Sequence, residues 1–166
     1  VEDRLKLHIC DMSVFEDETF DAVVCYRGPL SYVFGGAGTA LAEMLRVLKR
    51  TGVMLLSVMG LWGTVHEYLD GVVVLPLEVN RRIIDSGDLC PETYPEGEHH
   101  CHMFRANELR DLLWRSGAAV LEMSASNCLS AAWRDRLADV RADPAKWKQV
   151  LEMEVEACRE PGCLDM

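Results

Sequence analysis

The hydrophobic and polar positions of this chain follow two periods, one typical of strands and one typical of helices. In residues 5–10 apolar side chains recur at every second position, which predicts a strand with one wetter face, suited to a sheet edge. Residues 20–25 and 53–58 are apolar almost throughout, as in strands that are buried on both faces of a parallel sheet. Residues 118–123 predict one more strand.

Three stretches between and after these strands have apolar residues at helical spacing. The first spans 41–48, and Gly52 is expected to cap its carboxyl end. The second spans 109–113 and is stopped by Gly117. The third begins at Asp143, an N-cap residue that is followed by proline. Strands that alternate with helices predict an α/β fold, with residues 20–58 forming a right-handed parallel crossover.

The segment 59–103 interrupts this alternation. It contains one short helical pattern at 63–69, an apolar run at 72–77 and a turn-rich stretch at 85–102. A long irregular segment inside a compact domain usually serves as a lid or a binding insertion. We therefore expect a single domain over residues 1–166, with residues 59–103 forming an insertion or cap within it.

Composition limits the classes of partner. The net charge of −10 does not favour nucleic acid, because nucleic-acid binders need positive charge to displace counterions. No apolar stretch approaches the roughly 20 residues of a membrane helix. The seven cysteines include no CxxC pair, so they are expected to be reduced thiols of a cytoplasmic protein. A small-molecule substrate is the expected partner, and a homo-oligomer stays open.

Two longer motifs carry a family resemblance. The runs FDAVVCYRGPLSYV and ALAEMLRVLKRTGVMLLSV resemble the fourth strand, the following helix and the fifth strand of class I S-adenosylmethionine-dependent methyltransferases. The resemblance extends from residue 5 to about residue 126. It implies an incomplete Rossmann-like methyltransferase sheet with flanking helices, in which the segment 59–103 follows the family's fifth strand.

The family's first two strands, its glycine-rich cofactor loop and its last strand have no counterpart in these 166 residues. The chain is therefore expected to be a fragment of a methyltransferase, inactive when isolated. In the family's strand order, only the strands at 20–25 and 53–58 would remain neighbours, which leaves the strands at 5–10 and 118–123 without partners.

The resemblance also implies a cofactor site for S-adenosyl-L-methionine. Asp11 matches the family's acidic residue that meets the adenine amino group, and Met12 matches the residue that packs on the adenine ring. Cys25, Tyr26 and Arg27 would lie near the methionine part of the cofactor. These two groups are expected to share one rim of the sheet. Tyr32 would face the substrate.

Methyl transfer from a sulfonium is an in-line displacement, and it needs a general base only if the acceptor arrives protonated. The candidates for this role are His102 and His66. The run HHCHM at 99–103 also suggests a metal site with Cys90, but its spacing fits no zinc motif, and a surface cluster is favoured, with no metal ligand assigned. Three alternatives stay open, namely a non-enzymatic interaction domain, a metal-binding module at 99–102 and a nicotinamide-dependent enzyme.

Overall fold

A computed structural model of the chain describes residues 5–133 and 135–165 and shows a mixed α/β protein. No helix within that part of the chain has the length and apolar character needed to cross a membrane. The strands are β1 (Phe20–Cys25), β2 (Leu48–Leu56), β3 (Asp88–Leu89) and β4 (Cys101–His102). The helices are α1 (Ala37–Val47), α2 (Leu61–Glu67), α3 (Leu69–Val72), α4 (Leu77–Ser86), α5 (Ala106–Arg115), α6 (Ala138–Arg141) and α7 (Pro144–Ala157). Short 3-10 turns occupy Pro29–Tyr32, Phe34–Gly36, Ala131–Trp133 and Pro161–Cys163.

The unit β1–α1–β2 forms the centre of the fold. The two strands pair in parallel, with Ala22 opposite Val53 and Cys25 opposite Leu56, as the sequence predicts. The helix α1 buries an apolar stripe against them, and its residues in the main core are Ala37, Ala40, Leu41 and Met44. This crossover places the carboxyl ends of both strands, and the loops that follow them, at one edge of the sheet.

Gly52 lies inside β2 and does not cap the preceding helix, which ends at Val47. If this residue were alanine, its Cβ would lie 2.8 Å from the carbonyl oxygen of Asp21 and 2.6 Å from Leu48 Cδ1. The register of the two strands also shifts between Phe20 and Ala22. The glycine therefore allows a close approach of two backbones at a bulge.

The described residues cover only one face of the β1–β2 sheet. Val23, Cys25, Met54 and Leu56 pack into the core against α1. On the opposite face Val24, Val53 and Leu55 are 60%, 46% and 45% exposed. The sequence predicted burial on both faces, so the apolar composition of this second face is not explained by contacts among the described residues.

The predicted strands at 5–10 and 118–123 do not form. Among the described residues of the first stretch, the only bridge joins His8 to Asp11 across a tight turn. Residues 118–123 run as irregular chain beside α5. A strand is stable only when its backbone groups find partners, and the alternating side-chain pattern alone does not supply them.

The segment 59–103 is more regular than its sequence suggests. It contains α2, α3, α4 and the antiparallel pair β3–β4, and it has its own apolar core of Leu61, Ile83, Cys101 and Met103. Both β3 and β4 lie in the stretch 85–102 that was predicted to be rich in turns. The exposed large apolar residues of this segment are Trp62 in α2 and a group in and around α3, namely Tyr68, Leu69, Val73, Val74 and Leu77.

The last part of the chain contains α5, α6 and α7. Gly117 follows α5 with φ +79°, and Asp143 caps α7 by accepting hydrogen bonds from the backbone of Ala145 and Lys146, as predicted. The buried side of α7 carries Glu154, whereas Leu151 and Val155 of its predicted apolar stripe are exposed. Cys158, just after α7, packs with Ala125 and Cys128 into a third, small core.

Candidate functional site

The chain turns sharply at the carboxyl end of β1. Two consecutive residues, Arg27 and Gly28, have left-handed backbone conformations with φ of +70° and +75°. The backbone N–H of Arg27 donates to Ser57 Oγ at 2.9 Å, which ties this corner to the end of β2. Cys25 is buried beneath the corner, and burial raises the pKa of its thiol. Tyr26 and Arg27 are exposed at the sheet edge.

A second serine links the same corner to the chain after β2. Ser31 is fully buried in the 3-10 turn Pro29–Tyr32, and its Oγ accepts a hydrogen bond from the backbone N–H of Met59 at 3.0 Å. A Cβ on Gly28 would lie 3.3 Å from Met59 Cγ. The sequence places Ser31 at the start of the element that follows the turn, but it does not predict the hydrogen-bonding roles of Ser31 and Ser57. The available signal for Ser57 is its position directly after the apolar run of β2, where a side-chain hydroxyl can satisfy a backbone donor.

The loop that carries Asp11 is docked on α1. The backbone N–H of Met12 donates to Glu43 Oε2 at 2.8 Å, and the carbonyl oxygen of Met12 accepts from Arg46 Nη2 at 3.0 Å. The hydrogen bonds from the Arg46 guanidinium and from the Met12 backbone lower the pKa of Glu43 to about 2. Cys10 Sγ lies 3.5 Å from the carbonyl oxygen of Gly36, directly before α1.

Asp11 is exposed, and its Oδ1 accepts a hydrogen bond from the Ser13 backbone at 3.1 Å. Hydrogen bonds from Ser13 lower the pKa of this carboxyl. Met12 and Cys25 belong to the same core around α1. No hydrogen bond joins Asp11 to residues 25–27 within the described ranges, and the two predicted cofactor groups are linked through the core to which Met12 and Cys25 contribute.

Tyr32 meets the segment 59–103. Its hydroxyl lies 3.4 Å from His99 Nε2, and the two rings make an edge-to-face contact with centroids 5.6 Å apart. A groove of about 430 Å³ lies between this segment and the turn at Phe34. Its lining residues are Phe34, Asp88, Cys90, Pro91, Glu92, Thr93 and His100. The volume is that of a small-molecule site, and its two carboxylates give it a negative potential.

Of the two histidines predicted as catalytic, one is bound to two carboxylates and the other has a buried ring nitrogen. His102 has Nδ1 2.7 Å from Asp88 Oδ1 and Nε2 2.8 Å from Glu108 Oε1, so a carboxylate faces each ring nitrogen. His66 has a buried Nδ1 without a hydrogen-bond partner in residues 5–133 and 135–165. Neither histidine is among the residues that line the groove, so their catalytic role stays a prediction that this geometry does not favour.

The histidines of the run at 99–102 face different partners. His99 contacts Tyr32, His100 Nε2 lies 3.2 Å from the carbonyl oxygen of Gly97, and Cys101 is buried in the apolar core. In the described part of the chain, only Cys128, Glu154 and Cys158 form a group of at least three metal-ligating side chains with convergent ligand atoms. A metal module at 99–102 with Cys90 is therefore not supported by the geometry.

We expect the change Arg27→Gly to stabilise the chain by about 0.5–1 kcal/mol. An L-residue with a left-handed backbone is strained by roughly 1–2 kcal/mol, and glycine relieves that strain while adding less than about 1 kcal/mol of unfolded-state entropy. Urea unfolding at neutral pH measures the difference. The matched control Arg50→Gly, in β2 and without a positive φ, is expected to destabilise. If both variants changed the free energy of unfolding in the same direction, the strain assigned to the Arg27 backbone would be contradicted.

Comparison with known proteins identifies no family for this chain. No protein-family model matches the chain, and no curated protein matches it. The function is therefore argued from the sequence motifs and the site geometry together.

Proposed function

We propose that the chain belongs to an S-adenosylmethionine-dependent methyltransferase with a Rossmann-like fold that acts on a small molecule. The observation that carries the proposal is the parallel β1–α1–β2 crossover with its strained corner at Arg27–Gly28. In open α/β sheets, ligands bind outside the carboxyl ends of the strands. Backbone strain that is held in place by surrounding contacts, here those of Ser57 and Ser31, is frequent at ligand sites.

The residues matched to the adenine end of the cofactor fit that role. The carboxylate of Asp11 is exposed and ionised, and the Ser13 backbone occupies only part of its acceptor capacity, so it can accept from an exocyclic amine. Met12 offers a soft apolar side chain, and its backbone is fixed by Glu43 and Arg46. The loop is therefore positioned before any ligand arrives, which lowers the entropic cost of binding.

The exposed Tyr26 and Arg27 would border the methionine end. The family's glycine-rich loop, which forms the rest of that binding site, has no counterpart in this sequence. The cofactor, when bound, supplies a methyl group on a sulfonium. The contribution of this chain is then to orient the acceptor beside the corner and to exclude water from it.

The groove beside Tyr32 is the best candidate for the acceptor site. Asp88 and Glu92 line it, and they favour an acceptor with positive charge or hydrogen-bond donors. The Tyr32–His99 pair borders the same segment and is exposed, so His99 is better placed than His66 or His102 to take a proton from a protonated acceptor.

We expect S-adenosylhomocysteine to bind the natural full-length polypeptide, as measured by isothermal titration calorimetry. The variant Asp11→Ala should weaken binding about 10-fold, because one hydrogen bond that the amine donates to the charged carboxylate contributes roughly 1.4 kcal/mol. The matched control is Glu16→Gln, an exposed acidic residue five positions further along, which should leave the affinity unchanged. A wild-type protein that gives no binding heat and no thermal shift would reject the proposal.

The uncovered face of Val24, Val53 and Leu55 favours a second candidate function, a methyltransferase-like domain that serves as an interaction surface. The same calorimetry separates the two, since an interaction domain does not need to bind the cofactor product. Affinity that depends on Asp11 would support the enzyme and argue against a purely structural role.

A further inference from the structure

Two buried thiols and one carboxylate meet in the small core beside α7, and a third cysteine packs at its edge. Cys158 Sγ lies 3.9 Å from Cys128 Sγ and 3.6 Å from Glu154 Oε1. Cys128, Glu154 and Cys158 are all buried, and their ligand atoms lie within 4.8 Å of one another. Cys163 is partly buried and packs against the same core. We call this group the Cys128–Cys163 cluster, comprising Cys128, Glu154, Cys158 and Cys163.

The spacings match the edges of a tetrahedral metal site. With Zn–S bonds of about 2.3 Å, two sulfur ligands of a tetrahedral zinc ion lie about 3.8 Å apart. With a Zn–O bond of about 2.1 Å, a sulfur and an oxygen ligand lie about 3.6 Å apart. The observed distances of 3.9 Å and 3.6 Å therefore need little rearrangement to accept the ion.

The surroundings of the cluster also suit a metal. The Glu154 carboxylate accepts backbone hydrogen bonds from Leu129 at 2.8 Å and Ser130 at 2.9 Å, and another from Cys128. Carboxylates that bind metals are commonly held by such outer hydrogen bonds. The loop at 128–130 and the end of α7 are thus fixed relative to each other, and the ligands come from both.

The carboxylate of Glu154 adds a negative charge to this core, and the apolar packing of the core does not need that charge. A buried carboxylate among thiols costs desolvation unless it is paired or hydrogen-bonded. Thiolates select soft and borderline cations, of which zinc prefers four-coordinate geometry without redox chemistry. Neither the proposed methyl transfer nor the groove at Cys90 uses these residues.

We propose that the Cys128–Cys163 cluster binds one Zn²⁺ ion, with Cys128 and Cys158 as sulfur ligands, the Glu154 carboxylate as the oxygen ligand, and Cys163 moving in from the edge of the core as the third sulfur ligand. Binding converts three thiols to thiolates and releases their three protons to solvent. The ion joins the segment 125–130 to the end of α7 and the 3-10 turn Pro161–Cys163. It therefore stabilises the carboxyl-terminal part of the chain, independently of any cofactor.

The test uses the full chain, purified under reducing conditions and stripped of metal with a chelator. Titration with Co²⁺ is expected to give one equivalent with a thiolate-to-cobalt charge-transfer band and the intense visible bands of tetrahedral coordination. Competition with Zn²⁺ then gives the zinc affinity. Addition of Zn²⁺ should also raise the Tm, because the ion binds the folded state preferentially.

Variants locate the ion. Cys158→Ser and Cys163→Ser should each weaken zinc binding by at least about 100-fold, since loss of outer-shell partners alone costs roughly 10- to 100-fold. The control variants are Cys90→Ser and His100→Ala, which alter the other cysteine- and histidine-rich region. Cys163 is only half-buried, so its variant should fold even if Cys158→Ser does not.

Two results would overturn the proposal. One is a wild-type chain that shows no cobalt charge-transfer band and no zinc-dependent rise in Tm. The other is a metal site that survives Cys163→Ser with unchanged affinity but is lost in Cys90→Ser or His100→Ala. A tetrahedral spectrum that disappears only in the cluster variants supports it.

Discussion

Replacing Gly87 with alanine is expected to destabilise the chain by roughly 3 kcal/mol. Gly87 ends α4 with φ +76°, where its N–H donates to the carbonyl oxygen of Ile83. A Cβ there would lie 2.6 Å from the carbonyl oxygen of Met103 and 3.0 Å from His102 Cε1. Because the nearest obstacle is backbone, the chain must shift, and the 2.7 Å hydrogen bond from Met103 N to Gly87 O is then weakened.

The chain contains a matched control for this variant. Gly117 also has a left-handed backbone, with φ +79°, but a Cβ there would meet nothing within 4 Å. Gly117→Ala therefore carries only the conformational strain, about 1 kcal/mol. Chemical denaturation measures both, and the difference should correspond to a Tm gap of roughly 4–8 °C. Equal costs at the two positions would show that the close contact at Met103 is not present in solution.

The consequence of Gly87→Ala should extend to the groove. Gly87 directly precedes Asp88, which lines the groove and holds His102, and Met103 follows β4. A shift of the backbone here changes the separation of α4 from the β3–β4 pair. The packing of one glycine thus couples the stability of the segment 59–103 to the shape of the candidate acceptor site.

These contacts also show which parts of the structure a sequence can predict. The β1–α1–β2 unit was predictable because its signals are local: apolar runs in the strands and a helical stripe between them. The predicted strands at 5–10 and 118–123 were wrong because a local pattern of apolar residues does not specify the neighbouring strand with which a segment pairs. The regular structure of β3 and β4 was missed because two-residue strands carry no periodicity.

The candidate site was predictable only in part, for the same reason. The corner at residues 25–27 follows from a strand and a turn that are adjacent in sequence. The contact between Tyr32 and His99 joins residues 67 positions apart. In the Cys128–Cys163 cluster, the spacing of Glu154 and Cys158 is visible in the sequence as one helical turn. Cys128 is 30 residues from Cys158, and only the folded chain brings its thiol to the others.

Glu154 gives the second large expected effect, a loss of stability in acid that the variant Glu154→Gln removes. Burial alone would raise the pKa of Glu154, but hydrogen bonds from the Ser130 side chain and from the backbone of residues 128–130 lower it to about 2. The unfolded value is 4.5. Because the folded pKa is the lower one, the folded state binds fewer protons between these values, and stability falls as the pH drops from about 4.5 towards 2.

The magnitude follows from the same shift. An ionised Glu154 contributes on the order of 3 kcal/mol above about pH 4.5. In Glu154→Gln only the amide oxygen can accept hydrogen bonds, and the NH₂ group faces a backbone N–H donor. The free energy of unfolding should therefore fall by about 2–3 kcal/mol at neutral pH. The difference in unfolding free energy between wild type and variant should then shrink towards zero near pH 2.

Urea unfolding from pH 7 to pH 2, with a chelator present to exclude bound metal, measures this difference. Glu43 also has a pKa of about 2, so wild-type acid sensitivity alone does not identify Glu154, whereas the difference between wild type and Glu154→Gln does. The matched control is Glu156→Gln, two residues along α7 and exposed, which should leave the profile unchanged. A wild-type-to-Glu154→Gln difference that stays constant with pH would mean that the carboxylate is not ionised in the core. The hydrogen bonds from residues 128–130 would then be absent, and with them the fixed arrangement on which the zinc site depends.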